Sequence, residues 1–361
     1  MKITRSSKTT LKFLTQKKRD ILYGIMDEYS RLVNIFIVMF WDKDFKVSDL
    51  TKEITNLPES WLSARMRQCA ARESFGMVVG ARKKAIVKGE DPIRSEADCQ
   101  PVHTGKKMIL SAQIVAIENG RNSFDLWLVL CSVGNNIKLY IPLKRHRHFN
   151  WFSAWKISNT VIIHRDYVQF SFEKETGTKK TEGKSLGVDV GINHLLATSE
   201  KELIGSQVKP LIDIIKRKKQ NSRAYIRAKK TLSYYLHKIV KDSLQWKSLR
   251  LVVVEKLQGL KKGKQPDRGK AFRKTLSNWN YRELLNIIQM RCEENRVFFR
   301  SVNPCKTSQT CPSCSHTERG NRVGENFQCL KCGYSEQADI VGSLNILTRF
   351  TTGRYGAGFK A

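Results

Sequence analysis

Three acidic residues stand where carboxylates are costly. Asp189 lies within the apolar run Leu186–Gly187–Val188–Asp189–Val190–Gly191, Glu255 closes the stretch LVVVE, and Asp339 begins the last helical segment. An unpaired buried charge is strongly destabilising, so a carboxylate at the end of an apolar strand needs a partner. Carboxylates that converge repel one another and bind Mg2+, a hard cation that prefers oxygen ligands. Two such ions, about 4 Å apart, activate a water and stabilise the leaving oxygen in phosphodiester hydrolysis. Taken singly, each acid also has a plain reading as a strand-end or first-turn residue, Asp339 above all, since Asp is favoured there. Their order and setting favour one shared site.

A second constellation has the form C-x2-C-x14-C-x2-C: Cys311, Cys314, Cys329 and Cys332. Four thiolates on two tight turns give tetrahedral Zn2+ with no open position, a structural site rather than a catalytic one. Two redox dithiols are the alternative, but no surrounding βαβ pattern supports it. Cys69, Cys99, Cys131, Cys292 and Cys305 are scattered and read as reduced thiols.

Charge sets the partner class. Among 361 residues, 65 Lys+Arg face 33 Asp+Glu, a formal net charge of +32. Self-repulsion on that scale is best relieved by a polyanion. Nucleic acid is favoured over a merely basic or membrane-surface protein, because the cations run through a patterned globular chain. The stretch 216–230, KRKKQNSRAYIRAKK, carries eight cations and no acid; its Lys216, Arg217, Lys218, Lys219, Arg223 and Arg227 are candidate backbone contacts. The stretch 261–274, KKGKQPDRGKAFRK, adds Lys261, Lys262, Lys264 and Arg268. Both also have a bland reading as solvated surface. Tyr225, Tyr234, Tyr235, Trp246, Trp279 and Tyr281 interleave with these charges; some could stack bases, though most are expected in the core. No apolar run reaches transmembrane length and the N-terminus lacks a cleavable signal, so a cytoplasmic protein with no membrane partner is expected.

The elements that must position these residues can be read from periodicity. Residues 16–41 place Ile21, Ile25, Met26, Tyr29, Leu32, Val33, Phe36 and Phe40 at helical spacing, with Thr15 as N-cap, and 60–88 reads as a second helix. From 106 to 173 short β-patterned runs alternate with turn clusters, which suggests a small antiparallel barrel. The first residues could add a strand to it, making the helical unit an insertion. Residues 174–184 look like a linker. Beyond them come three short strands, a basic helical region over 209–246, the strand LRLVVVEKL, a basic loop over 261–275 and a helix over 279–295. The strand RVFFRSV, the Cys module and a final helix complete an α/β pattern with a mixed sheet.

At this point the residues resemble a family. Asp189 in LGVDVGINHLLATS, Glu255 in LVVVEKL, NPCKTSQTCPSC leading into the Cys module, and Asp339 in QADIVGSLNI are similar to the RuvC segments and inserted zinc ribbon of TnpB proteins. Those proteins are transposon-encoded and similar to compact type V CRISPR effectors. The likeness covers roughly residues 183–350. It implies an RNase H-like RuvC domain at 183–304 and 336–361 with a zinc-ribbon, target nucleic-acid-binding insertion at 305–335. It further implies a wedge β-barrel at 1–15 and 100–182, carrying a helical recognition insertion at 16–99.

The function implied is an RNA-guided DNA endonuclease. A guide RNA pairs with the target strand of double-stranded DNA, the protein reads a short flanking motif, and Mg2+ at Asp189, Glu255 and Asp339 serves the cut. The 261–275 loop would act as a lid. Protein partners, and a transposon rather than a CRISPR setting, are left open. The family's last helix usually reads Asp-x-Asn-Ala-Ala-x-Asn-Ile; here Val341 and Gly342 replace Asn and Ala, and Ser315 stands where Gly is common. Val341 would remove a polar neighbour of the metal. An RNA-guided repressor that does not cut, and an unguided transposase or resolvase of the same fold, are the competing readings.

Overall fold

The computed structural model describes residues 1–41, 46–88, 100–120, 123–257 and 270–353. Cys99, Lys261, Lys262, Lys264 and Arg268 lie outside them, as does most of the expected lid. The chain divides into two units, residues 2–175 and the stretch from Thr176 onward.

The first unit begins with β1 (Lys2–Thr10), followed by α1 (Gln16–Trp41), α2 (Lys52–Asn56) and α3 (Ala64–Lys88). Then come β2 (Lys107–Leu110), β3 (Val115–Asn119), β4 (Leu126–Leu130), β5 (Leu139–Leu143), α4 (Arg147–Asn150), β6 (Lys156–His164) and β7 (Tyr167–Glu175). Two antiparallel sheets result, ordered β1-β7-β6-β2 and β3-β4-β5. Strand β1 does join the sheet built by later strands, pairing Lys2 with Glu175 and Thr10 with Tyr167, so the helices are inserted between β1 and β2. Alternation along β7 buries Val168, Phe170 and Phe172. These residues, the inner residues of β4 and β5, and the apolar faces of α1 and α3 form one core. Ile21 departs from the expected stripe: it is 37% exposed, and Leu22 takes its place inside.

The second unit contains β8 (Lys184–Val190), β9 (Leu196–Thr198), β10 (Leu203–Ile204), α5 (Val208–Lys216), α6 (Arg223–Ser243), β11 (Leu249–Glu255), α7 (Lys270–Asn278), α8 (Tyr281–Glu294) and β12 (Phe298–Val302). It ends with β13 (Arg322–Val323), β14 (Asn326–Gln328), β15 (Ser335–Gln337) and α9 (Ala338–Thr352). Its main sheet is ordered β10-β9-β8-β11-β12, with β8, β11 and β12 parallel and β9 and β10 antiparallel. Both faces are covered, which explains the unbroken LVVV run. Val252 and Val254 join one core with residues of α5, α6 and α8, while Leu251 and Val253 meet Ile346 and Phe350 of α9.

Three local readings change. The helical region over 209–246 is two helices: Asn221 is left-handed (φ 63°) and the Ser222 hydroxyl caps α6 by accepting from the Tyr225 N–H. The segment expected as a linker is fastened to this unit, since the Lys180 ammonium donates to the carbonyls of Trp246, Lys247 and Leu249. The end of the expected basic loop, from Lys270, is helical and belongs to α7. Among the described residues no helix is long and apolar enough to cross a membrane.

Candidate metal and carboxylate centre

Strand periodicity and register together place the first two acids. Along β8, Leu186, Val188 and Val190 point into the core shared with α5 and α6, so Gly187 and Asp189 face the other side, toward α9. Along β11 the same alternation turns Glu255 to the side of Leu251 and Val253. Val188 pairs with Val254 in parallel register, so Asp189 and Glu255 end neighbouring strands on one face. Helix α9 crosses that face. At Gly187 an added Cβ would lie 2.2 Å from the Ser343 carbonyl oxygen, so only glycine admits the helix this close.

The third acid arrives on α9. The Gln337 side chain caps this helix, accepting from the N–H groups of Asp339 (2.7 Å) and Ile340 (2.9 Å). Gly342, one turn on from Asp339, lies against the Asp189 carboxylate. The three acids sense one another. Burial holds Asp189 well above the usual carboxylate range, and the charges of Glu255 and Asp339 push it further. Burial raises Glu255 as well, but the Thr307 hydroxyl, which donates to its Oε1, and the Arg349 and Arg322 charges pull the other way. The donors are carboxylate oxygens, the kind a hard divalent cation takes, and Arg322, 3.1 Å from Asp339 Oδ1, offsets part of their negative charge.

Several of these supporting residues escaped the sequence reading. Thr307 is fixed by Asn345, whose side-chain amide donates to the carbonyls of Thr307 and Thr310, both at 2.7 Å. Arg349 is buried and donates to the Asn303 carbonyl at 2.8 Å. Asn345 and Arg349, one turn apart on an otherwise apolar helix face, were the available signal.

The four cysteines gather into one cluster, their sulfurs all within 4.8 Å of one another. The Cys311–Cys332 and Cys314–Cys329 separations are 3.6 and 3.5 Å. With metal–sulfur bonds of about 2.3 Å, a tetrahedral thiolate site has sulfur separations near 3.8 Å, so these residues fit a single zinc-sized ion. Burial opposes ionisation of Cys329, yet N–H groups of Cys332 and Lys331, with the neighbouring sulfurs, bring it down to about 6. Each knuckle needs a left-handed residue after its second Cys: Ser315 (φ 59°) and Gly333 (φ 74°). Behind the knuckles Val341 is fully buried among Cys311, Phe327, Cys329 and Ala338. Its side chain is therefore part of the ribbon's apolar core.

The basic candidates divide. Lys216 is tied to Asp213 at 2.9 Å, whereas Arg217, Lys218, Lys219, Arg223 and Arg227 are exposed. Of the interleaved aromatics, Trp246, Trp279 and Tyr281 are buried, Tyr225 and Tyr235 are half-buried, and Tyr234 is 72% exposed.

Comparison with known proteins bears on this arrangement. The Cas12f1-like TNB domain family matches residues 281–346. A CRISPR-associated endodeoxyribonuclease Cas12f1 of Sulfoacidibacillus thermotolerans is 38% identical over 72 residues, covering 20% of this chain and 17% of that protein. A TnpB-like protein of Methanocaldococcus jannaschii is 26% identical over 129 residues, covering 34% and 44%. The matched stretches thus span less than half the length of these relatives. A cryo-EM structure of a Cas12f1–sgRNA–target DNA complex superposes with a TM-score of 0.59 at 13% identity, covering 92% of this chain and 83% of that one. The mini-RNA-guided endonuclease CRISPR-Cas_phi3 superposes with a TM-score of 0.60 at 12% identity, covering 99% and 94%. The fold is a compact RuvC-like one with a four-cysteine ribbon.

Proposed function

We propose that this chain, a relative of the TnpB-like proteins and the compact Cas12 effectors, is an RNA-guided DNA endonuclease. The observation that carries the reading is the register that sets Asp189 beside Glu255 on one face of the sheet, under the helix bearing Asp339. Mg2+ bound there would activate water and stabilise the leaving oxygen of a phosphodiester. Asp189, Glu255 and Asp339 would hold it, Thr307 would orient Glu255, and Arg322 would offset charge beside Asp339. Zn2+ at the four cysteines would keep the ribbon folded.

The two sheets of the first unit, built around one core, are read as the wedge barrel (1–15 and 100–182), with 16–99 as its recognition insertion. The net charge of +32 suits a guide RNA and a DNA target, with a short flanking motif read on the duplex. Arg217, Lys218, Lys219, Arg223 and Arg227 are proposed backbone contacts. An RNA-guided repressor that does not cut is the second reading; Val341, on which it drew, packs against the ribbon cysteines.

The test is purification with the native flanking DNA, sequencing of the co-purified RNA, and a cleavage assay on matched DNA with Mg2+. A discrete RNA and cutting lost on Asp189→Ala are expected. Equal cutting by wild type and Asp189→Ala would sink the assignment; tight target binding without cutting would establish the repressor. Protein free of discrete RNA would point to an unguided enzyme.

A further inference from the structure

The outward side of α6 carries a pattern of which the nuclease reading uses only the first two residues, Arg223 and Arg227. Arg223, Arg227, Lys230, Tyr234, Lys238 and Lys241 follow one another at intervals of four, three, four, four and three residues, and all are exposed. That spacing keeps them on one face over about 27 Å of helix. The opposite stripe, Leu232, Leu236 and Val240, is buried. The sole acid on this helix is Asp242, at its C-terminal end. Among the described residues none of these five cations makes an ion pair.

Tyr234 sits in the middle of this row of cations, 72% exposed. A large ring left in water between positive charges gains nothing from folding. A duplex could meet the cations with its phosphates, but its base faces are stacked inward and would leave the ring idle. A single strand offers both phosphates along the row and a free base face at the ring. Beside the row, toward α8, Tyr225, Ile226, Lys230, Ser233, Asn280 and the carboxylate of Glu283 border an open cavity of about 310 Å3, room for a base, though not a phosphate, displaced from the backbone line.

We propose that this face of α6 is a track for single-stranded nucleic acid, with Tyr234 as the platform for one base. The inference rests on the nucleic-acid reading above and adds the strandedness of the ligand and the residues that hold it. Lys238 and Lys241 extend the basic surface beyond the 216–230 stretch that the sequence singled out.

The test is fluorescence anisotropy of the full chain with labelled eight-residue oligo-dT, oligo-rU and a DNA hairpin duplex, over a salt series. Lys230→Gln, Lys238→Gln and Lys241→Gln combined should lower the slope of log affinity against log salt by about two for single strands, at about 0.7 per lost phosphate contact. Tyr234→Ala should weaken single strands about tenfold and the hairpin less than twofold, and Tyr234→Trp should keep the affinity. Whichever of the dT and rU arms loses more identifies the strand as DNA or RNA. Melting curves matching wild type would show that the variants fold. The track is overturned if wild type binds and these variants bind equally well, or if Tyr234→Ala weakens the hairpin as much as single strands. Wild type that binds none of the probes would overturn the nucleic-acid reading together with it.

Discussion

Asp189 and Gly342 are in intimate contact: a Cβ on Gly342 would stand 2.7 Å from Asp189 Oδ2 and 3.4 Å from its Cγ. The missing methyl is the space the carboxylate occupies. In the TnpB-type motif an Ala stands at this position, so the carboxylate here approaches the helix more closely than an Ala-bearing helix permits.

Gly342→Ala is expected to separate stability from chemistry. Ala favours a helix interior by about 1 kcal/mol over Gly, so the melting temperature should hold or rise. The end of the Asp189 side chain, 2.7 Å from such a Cβ, must then shift by a few tenths of an ångström, so target cleavage should change by severalfold at most, as an Ala in the TnpB-type motif suggests. A far larger loss in a normally melting variant would mean that the carboxylate has no freedom to move.

Removing the Thr307 hydroxyl should shift a pH profile. That hydroxyl holds the Glu255 carboxyl down against the effect of burial. In Thr307→Val the carboxyl titrates higher, so the acid limb of the cleavage-rate profile moves to higher pH. Asn345→Leu, which strips the donors from the Thr307 and Thr310 carbonyls, should move the limb the same way and cost about 1–3 kcal/mol of stability. A loss of rate with an unmoved limb would show that neither residue acts through Glu255.

Asp189 should make stability depend on pH and Mg2+ together. Its folded value is raised well above the unfolded one, near 4, so the folded state holds the proton more tightly. Its stabilising contribution is therefore full below the unfolded value and is lost as pH rises toward the raised value. Without added Mg2+, wild type should lose stability relative to Asp189→Asn as pH rises from a lower value near the unfolded one, about 4, to an upper, neutral pH. Added MgCl2 should raise the wild-type melting temperature more at the upper pH than at the lower. Scanning fluorimetry of both proteins measures this, and parallel curves would rule out a buried titrating carboxylate.

The ribbon should carry one zinc per chain, measured by elemental analysis, and Cys332→Ser should lose it. Ser315 is held in a left-handed conformation that costs a non-glycine residue about 1 kcal/mol. Ser315→Gly should therefore slow zinc loss to a chelator severalfold; faster loss would assign the serine a stabilising role.

Asp189, Glu255, Asp339 and the four cysteines were legible in the sequence because their types contradict or punctuate their surroundings. An acid in an apolar strand, or paired cysteines at knuckle spacing, needs a reason that local structure does not supply. Strand and helix periods told which elements carried them, and β1 was legible as a partner of later strands from its alternation. The break at Asn221 and Ser222 was less plain, because both flanking segments are basic and helical in pattern.

What Val341, Gly342, Thr307, Asn345 and Arg322 do was decided only in three dimensions. Their roles depend on which face of α9 meets the sheet and which meets the ribbon, and no local spacing encodes that. Val341, read as a lost polar neighbour of the metal, packs behind the cysteines, while Gly342, apparently a weak helix residue, proved to be the gap that admits Asp189. The physical reason is that residue type and period report short-range preference. The parallel register of β8 with β11, and the crossing of α9 over both, are long-range contacts that exist only once the sheet has formed.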